Sequence, residues 1–266
     1  MDLGLSGRVA IVTGASRGIG HACAAELAAE GAHVVAASKD AARNAETAEK
    51  LARGANGRTP GRVIGIVADI ESDASIRALV EATIAEFGRL DILVNNAALV
   101  SPGDLYTLSE VEWGRIFEKK LNGFARCMKY AIPPMRAQKW GRIVNVTGTA
   151  GRQPQPGAVA TGMNNAAILN LTKAMANDLA RDGILLNAVV PPATLTERRR
   201  EIVRKEAAAR GKPEDEVLKE AAKNFPLGRW AYPAEIAAVV AFLASERASF
   251  VIGSAWPVDG GTSAVI

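Results

Sequence analysis

The chain carries the glycine-rich sequence Thr13-Gly14-Ala15-Ser16-Arg17-Gly18-Ile19-Gly20 close to its N-terminus. The apolar run Arg8–Val12 precedes it, and the helical pattern Ile19–Ala29 follows it. A glycine turn between a strand and a helix is typical of a dinucleotide site, because backbone N–H groups and the positive end of the helix dipole face a pyrophosphate there. We therefore predict that Gly14 permits the tight turn, Gly18 admits the phosphates and Gly20 lets the helix pack closely on the sheet.

Short β-branched runs alternate with longer amphipathic stretches along the rest of the chain. The predicted strands are Arg8–Val12, Val34–Ala37, Val63–Val67, Ile92–Asn95, Arg142–Val146, Leu185–Val190 and Ala255–Val258. The predicted helices are Ile19–Ala29, Ala41–Ala52, Ala74–Phe87, Glu110–Arg136, Met163–Ala180 and Pro233–Ser245. Several of the strands are almost wholly apolar, as strands covered on both faces are. This alternation predicts an α/β fold, a single doubly wound domain over residues 1–266 whose parallel sheet of seven strands has helices on both faces.

One segment, Thr196 to Phe225, departs from this alternation because it is charged, helix-prone and interrupted by Gly211-Lys212-Pro213. It follows the end of the sixth predicted strand, where doubly wound sheets bind ligands, so we interpret residues 196–225 as a lid or substrate loop. A solvated helical excursion is the alternative. Its basic run Arg198-Arg199-Arg200 indicates either a preference for an anionic substrate or, with the interspersed glutamates, a solvated helix with internal ion pairs.

The composition narrows the class of protein. No apolar run approaches the roughly 20 residues that span a bilayer, and the N-terminus lacks a signal-peptide pattern, so we expect no membrane partner and a cytoplasmic location. Cys23 and Cys127 are too few for a disulfide framework and lack metal-ligand spacing, which predicts a reduced compartment and no metal site. The net charge is +4, and the 5% of aromatic residues do not interleave with the basic run, which argues against nucleic-acid binding.

The glycine spacing Gly-x-x-x-Gly-x-Gly and a series of later motifs resemble the short-chain dehydrogenase/reductase family along essentially the whole chain. The later motifs are Asp69 after the third strand, Asn95-Asn96-Ala97 after the fourth, Asn145 in the fifth, Pro191 and Thr196 after the sixth, and the tail sequences Pro226-Leu227-Gly228-Arg229 and Val258-Asp259-Gly260-Gly261. The resemblance implies a nicotinamide-dependent oxidoreductase that acts on a small molecule and assembles as a homodimer or homotetramer.

The same resemblance assigns expected roles to individual residues. Asp69 would bond the adenine amine, Asn95 and Ala97 would line the adenosine ribose, and Pro191 and Thr196 would lie against the nicotinamide. Ala98 and Pro192 stand where the family has glycine, which removes backbone freedom beside the cofactor. The predicted cofactor-binding residues are Gly14, Ser16, Arg17, Gly18, Ile19, Gly20, Ser38, Lys39, Asp69, Ile70, Asn95, Ala97, Pro191 and Thr196.

The end of the second strand bears on which nicotinamide cofactor binds. An acidic side chain there would hold the ribose hydroxyls of NAD and repel a 2′-phosphate. The chain instead has Ser38 followed by Lys39, and Arg17 lies in the glycine turn. Because cations form strong charge-assisted bonds to phosphate, this pattern favours NADP(H) over NAD(H). The alternative is that Lys39 and Arg17 are solvated surface charges.

The family's proton-transfer residues are replaced in this chain. In the family, a Ser, a Tyr-x-x-x-Lys motif and an Asn on the preceding long helix handle the proton. The alignment places Gly148 at the Ser, Thr161 at the Tyr, Asn165 at the Lys and Lys120 at the Asn, and no Tyr-x-x-x-Lys motif occurs elsewhere. The polar residues that remain as catalytic candidates are Thr147, Thr149, Thr161, Asn164, Asn165 and Lys120.

Lys120 is the candidate with the strongest chemistry. Its side chain could project from the long helix toward the space left by the family's Lys, and burial there would lower its pKa. Our hypothesis is that it is the replacement acid or an electrostatic clamp on the substrate oxygen. The alternative is a surface lysine beside Lys119.

The sequence therefore supports three functions. The first is an oxidoreductase with a non-standard proton relay that transfers a hydride to a small carbonyl, enone or imine, since hydride transfer itself needs only a positioned nicotinamide and an electrophilic carbon. The second is a non-redox lyase or isomerase on the same fold. The third is an inactive NADP-binding subunit or regulator.

Overall fold

A single sheet of seven parallel strands organises the computed structural model, which describes residues 2–53, 60–97 and 105–265. The strand order β3-β2-β1-β4-β5-β6-β7 reverses direction between β1 and β4, so a crevice opens at the carboxyl ends of these two strands. The predicted fold class is confirmed. The strands are β1 (Val9–Thr13), β2 (His33–Ser38), β3 (Val63–Val67), β4 (Ile92–Asn95), β5 (Gly141–Val146), β6 (Ile184–Val190) and β7 (Ala255–Pro257).

Helices cover both faces of this sheet. They are α1 (Gly18–Ala29), α2 (Ala41–Ala52), α3 (Asp73–Phe87), α4 (Glu110–Phe117), α5 (Gly123–Ala137), α6 (Val159–Ala180), α7 (Glu197–Arg210), α8 (Glu214–Ala222) and α9 (Pro233–Leu243). Along β1, Ala10 and Val12 pack into the apolar cluster beneath α1 and α9, whereas Ile11 packs into the cluster beneath α3, α5 and α6. The two-residue period of the strand thus supplies both cores.

The chain is helical throughout the predicted stretch Glu110–Arg136, but a change in helix type that the prediction did not include divides it into three parts. A π-helical turn, Glu118–Asn122, separates α4 from α5. Hydrophobic periodicity does not reveal a local change from i→i+4 to i→i+5 hydrogen bonding, and such turns occur frequently at functional sites.

The predicted start of α6 at Met163 is wrong by four residues, since the helix begins at Val159. Ala158 precedes it and makes no side-chain capping bond, so the sequence carries no N-terminal signal there. The earlier start places Thr161 inside the first turn of α6.

The segment 196–225 forms α7 and α8 beyond the end of β6. Thr196 caps α7 by accepting a hydrogen bond from the Arg199 amide, and Gly211, at a φ of +63°, ends it. The two helices share a small apolar cluster that includes Val203, Val217, Leu218 and Trp230. Among the described residues, no helix combines the length and the hydropathy needed to cross a bilayer.

Candidate cofactor and proton-transfer site

The glycine turn joins β1 to α1 at the reversal point of the sheet. The Thr13 hydroxyl accepts hydrogen bonds from the Asn96 and Ala97 amides at 3.0 and 3.1 Å, which ties the turn to the end of β4. Gly14 and Gly18 have φ values of +66° and +61°, in the left-handed region that favours glycine. The backbone of the turn is thus fixed by the strand that lies next to β1.

Gly20 permits the closest approach in this turn. A Cβ at Gly20 would lie 2.3 Å from the Gly14 carbonyl oxygen and 2.4 Å from Asn96 Nδ2. The residue before α1, Arg17, makes no side-chain capping bond, so the first N–H groups of the helix remain open to an anion. Ser16 is half-buried in the turn, and Ile19 packs on the core. These features fit the pyrophosphate of a dinucleotide.

A cavity of about 230 Å³ lies between the glycine turn and the ends of β2 and β3, which is where the adenosine part of a dinucleotide would fit. Five predicted residues line it, namely Gly14, Ser38, Lys39, Ile70 and Ala97. Glu71 and Lys119 line it too, and sequence reasoning did not select either of them. Glu71 had one available signal, because it lies two residues after Asp69.

Lys39 lies at the rim of this adenosine cavity and is paired with acidic groups. Its Nζ lies 2.9 Å from the Asp69 carboxylate and 2.5 Å from the Glu71 carboxylate. The adjacent Ser38 hydroxyl donates to Asn44 Oδ1 at 2.6 Å. The chain therefore presents a cation and no carboxylate at the end of β2, although two acidic groups from the next loop reach that cation.

Two further cofactor candidates lie elsewhere in the crevice. The Arg17 guanidinium lies 4.0 Å from Glu201 of α7, and a Cβ at Gly18 would lie 3.1 Å from the Thr196 side chain, so the lid segment starts against the glycine turn. Asn95 is completely buried and donates to Asn145 Oδ1 at 3.0 Å. Its side chain therefore lies beneath the cavity wall. Ala98 lies outside the described residues.

The expected nicotinamide end lies between β5 and β6. Pro191 is buried, and its carbonyl accepts a hydrogen bond from the Thr149 amide at 3.0 Å. Thr196 uses its hydroxyl oxygen as the cap of α7. Pro192 lines a separate cavity of about 300 Å³ near the C-terminal tail. That Pro191 and Thr196 face the nicotinamide stays a prediction.

Lys120 lies in the π-helical turn and is buried at the end of β5. Only 6% of its surface is exposed, so the surface-lysine alternative is wrong. Its Nζ donates to Asn165 Oδ1 at 2.6 Å and to the Thr147 carbonyl oxygen at 3.3 Å. Lys120 and Asn165 thus form one buried hydrogen-bonded pair between the π-helical turn and α6.

Burial changes the acidity of this lysine. Desolvation lowers the pKa of Lys120 from 10.5 to about 8, because burial removes the water that would stabilise the charged ammonium. The ring of Phe124, 5.9 Å from Nζ, is the aromatic group beside it. An ammonium with this pKa can lose and regain its proton close to neutral pH, whereas a solvated lysine stays almost fully protonated there.

Asn165 faces the open position at Gly148. A Cβ at Gly148 would lie 3.0 Å from Asn165 Nδ2, so even a small side chain there would press on the amide. The Asn165 side-chain oxygen accepts the hydrogen bond from Lys120. The side-chain nitrogen of Asn165 donates no hydrogen bond to the residues that the structure describes. The amide is therefore oriented with its N–H groups available to a bound oxygen atom.

The remaining catalytic candidates differ in burial, since Thr147 and Asn164 are buried whereas Thr149 and Thr161 are partly exposed. The Thr147 hydroxyl donates to the Val189 carbonyl at 2.8 Å, which directs it into the sheet. Asn164 is buried, donates to the Ala160 carbonyl and has an unpaired Oδ1. Thr149 lies in the short 3₁₀ turn after Gly148, and Thr161 shares one helix face with Asn165, four residues on.

Several basic residues of segment 196–225 are paired with glutamates within it. Arg200 and Arg204 lie 3.9 and 3.6 Å from Glu214, and Arg210 lies 2.9 Å from Glu206. The prediction of internal ion pairs is confirmed at these positions. Arg199 is half-buried with its guanidinium 5.7 Å from the Trp230 ring, and desolvation lowers its pKa.

Comparison with known proteins identifies relatives over the full length of the chain. Residues 14–263 match a family described as enoyl-(acyl carrier protein) reductase. The chain is 39% identical to cis-4-hydroxycyclohexanecarboxylate dehydrogenase of Sinomonas cyclohexanicum, with 97% of each chain covered. It is 34% identical to 3-oxoacyl-(acyl-carrier-protein) reductase of Thermotoga maritima, over 97% of this chain and 98% of that protein.

A solved structure with a similar fold is L-sorbose reductase of Gluconobacter frateurii in complex with NADPH and L-sorbose. The two structures agree with a TM-score of 0.95 at 31% sequence identity, and all of both chains is covered. The two relatives and the solved structure are all named as dehydrogenases or reductases.

Proposed function

The chain belongs to the short-chain dehydrogenase/reductase family of oxidoreductases, and we propose that it transfers a hydride between NADP(H) and a small carbonyl compound or the corresponding alcohol. The observation that carries the proposal is the buried ammonium of Lys120, bonded to Asn165 at the end of β5. It supplies an acid where the family's tyrosine and lysine are replaced.

The nicotinamide, when bound, supplies or accepts the hydride. The chain's own residues must then hold the substrate oxygen and move one proton to or from it. The Asn165 N–H groups are the donors available to that oxygen, and Lys120 gives its Nζ proton in the reductive direction and takes one back in the oxidative direction. A pKa of about 8 suits both directions, because a general acid works best when its pKa is near the working pH.

The preference for NADP(H) rests on the end of β2. Ser38 leaves no carboxylate at the position that would repel a 2′-phosphate, and Lys39 places an ammonium beside it. The L-sorbose reductase structure, with the same fold, was determined as an NADPH complex. These observations support NADP(H) as the preferred cofactor.

The substrate class that we propose is a small cyclic or branched secondary alcohol and its ketone. The relative that is 39% identical is named for a hydroxycyclohexane carboxylate, which carries both a secondary alcohol and an anionic group. Much of the positive charge of α7 is already paired with glutamates, so carboxylate recognition would fall to groups such as Arg199. As the family resemblance implies, we expect a homodimer or homotetramer.

The proposal is tested by following the absorbance of NADPH with a panel of ketones that includes neutral and carboxylated cyclohexanones. We expect the reduction rate to be constant below pH 8 and to fall above it, since Lys120 must carry its proton to act as the acid. Alcohol oxidation should show the opposite dependence, rising through the same pH.

Two variants sharpen this test. Lys120→Met should lower kcat by about 100-fold or more, the usual contribution of a general acid, and leave the NADPH dissociation constant within about twofold. Lys129→Met, on the exposed face of α5, is the control and should have the same rate and pH profile as the protein without substitutions. An unchanged rate in Lys120→Met would remove the lysine from the reaction. Product formation without loss of NADPH would indicate the non-redox alternative, and NADPH binding without turnover of any substrate would indicate a regulator.

A further inference from the structure

The adenosine cavity contains a three-residue ion cluster that the proposed reaction does not use. We call it the Lys39 clasp, and it consists of Lys39, Asp69 and Glu71. Lys39 Nζ lies between the two carboxylates, 2.9 Å from Asp69 and 2.5 Å from Glu71. Lys39 and Glu71 both line the cavity. The ammonium that a 2′-phosphate would bind is therefore already paired.

The two carboxylates of the clasp are held differently. The Asp69 carboxylate also accepts a hydrogen bond from the Glu71 amide at 2.9 Å, so the backbone fixes its position. The Glu71 carboxylate has Lys39 as its single partner within the parts of the chain that the structure describes. An arriving phosphate can thus displace Glu71 from Lys39 without breaking any other bond.

The charge of the clasp also opposes a phosphate. One ammonium and two carboxylates leave a net charge of −1. Burial alone would lower the pKa of Lys39, but its hydrogen bonds from Nζ to Glu71 and Asp69 raise it, so the lysine stays charged at neutral pH. Among the described residues, Lys119 also lines the cavity, and Arg17 of the glycine turn lies 4.0 Å from Glu201.

We propose that Glu71 sets the cofactor preference, because its carboxylate competes with the 2′-phosphate of NADP(H) for Lys39. The proposal rests on the proposed function in taking a nicotinamide dinucleotide as the ligand. NAD(H) presents a neutral ribose hydroxyl at this position, which can donate a hydrogen bond to the Glu71 carboxylate without electrostatic repulsion. NADP(H) presents a phosphate, which must separate Glu71 from Lys39 and is repelled by it. The preference for NADP(H) over NAD(H) is therefore weaker than Ser38 and Lys39 would produce without Glu71.

The experiment measures dissociation constants for NADPH and NADH by nicotinamide fluorescence, and for 2′-AMP and AMP by calorimetry. Glu71→Gln removes the charge and keeps the size of the side chain. We expect it to tighten NADPH and 2′-AMP binding by about tenfold, because the phosphate then bonds to Lys39 without competition from the Glu71 carboxylate. NADH and AMP binding should stay within about twofold.

Two further variants isolate the mechanism. Glu81→Gln makes the same charge change on the exposed face of α3, where Glu81 pairs with Arg77 at 3.8 Å, and should alter no dissociation constant. Lys39→Gln should abolish the gain, so that Glu71→Gln combined with Lys39→Gln binds NADPH no better than Lys39→Gln alone.

Each outcome supports or overturns the inference. The inference is supported if Glu71→Gln tightens the binding of NADPH and 2′-AMP, the ligands with a 2′-phosphate, and does so only when Lys39 is present. An equal change for NADPH and NADH, no change, or a gain of the same size in Glu81→Gln overturns it and leaves the proposed oxidoreductase function intact. Failure of the unchanged chain to bind NADPH, NADH and 2′-AMP would overturn the inference and the proposed function together.

Discussion

The glycine turn and the Lys120–Asn165 pair both follow the carboxyl end of a strand, β1 and β5, but they are built in different ways. The glycine turn consists of consecutive residues whose backbone groups and tight packing do the work. The Lys120–Asn165 pair joins two side chains that are 45 residues apart, across a π-helical turn and the first turns of α6. A site made from local backbone tolerates little change in side-chain size, whereas a site made from distant side chains can exchange residue types between its positions.

The largest expected effect comes from adding one methyl group to the glycine turn. Gly20→Ala would place a Cβ 2.3 Å from the Gly14 carbonyl oxygen, so the turn must open. We expect a loss of about 1 to 3 kcal/mol in the free energy of unfolding and loss of NADPH binding, measured by urea denaturation and fluorescence titration.

Gly114→Ala is the matched control for this substitution. Gly114 is also helical, and a Cβ there would meet no atom within 4 Å. It should stabilise the protein by about 0.5 to 1 kcal/mol, because alanine loses less conformational freedom in a helix. Equal effects of the two substitutions would show that the close contact at Gly20 has no special role.

The Lys120–Asn165 pair should reveal itself through the pH dependence of stability. Burial lowers the pKa of Lys120 from 10.5 to about 8, so between these pH values the unfolded chain binds a proton that the folded chain does not. Stability should therefore rise with pH across this window, by at most about 1.4 kcal/mol per pH unit.

This contribution is isolated by comparing urea denaturation of the unchanged protein with that of Lys120→Met. The variant should lose the rise between pH 8 and 10.5, whatever its stability at neutral pH. Lys129→Met, which removes an exposed lysine, should keep the rise. Parallel curves for the unchanged protein and Lys120→Met would contradict the buried, depressed ammonium.

The smallest expected effect lies on the lid segment. Arg204→Gln removes a half-exposed ion pair to Glu214 and should cost less than about 1 kcal/mol in unfolding free energy. Lys205→Gln, the neighbour without an ion pair among the described residues, should cost close to nothing. Neither should change the ratio of KM values for carboxylated and neutral substrates, and a selective rise for the carboxylated one would establish anion recognition by this helix.

Local pattern was sufficient for the sheet and for the cofactor half of the crevice. β3 (Val63–Val67), β4 (Ile92–Asn95) and α2 (Ala41–Ala52) have the predicted bounds, because apolar runs and polar breaks mark buried strands and amphipathic helices directly. The positive φ values at Gly14 and Gly18 likewise follow from a residue type that adopts them without strain. Each of these features depends on neighbours within a few residues.

The Lys120–Asn165 pair and the Lys39 clasp depended on three-dimensional packing. From the sequence, Lys120 was also compatible with a solvated position beside Lys119, and Glu71 was one acidic residue in a polar loop. The π-helical turn places Lys120 against Asn165, and the pairing of β2 with β3 brings Lys39 to Asp69 and Glu71. Desolvation and ion pairing act between groups that are distant in sequence, so only the folded chain decides which charges are buried and which are paired.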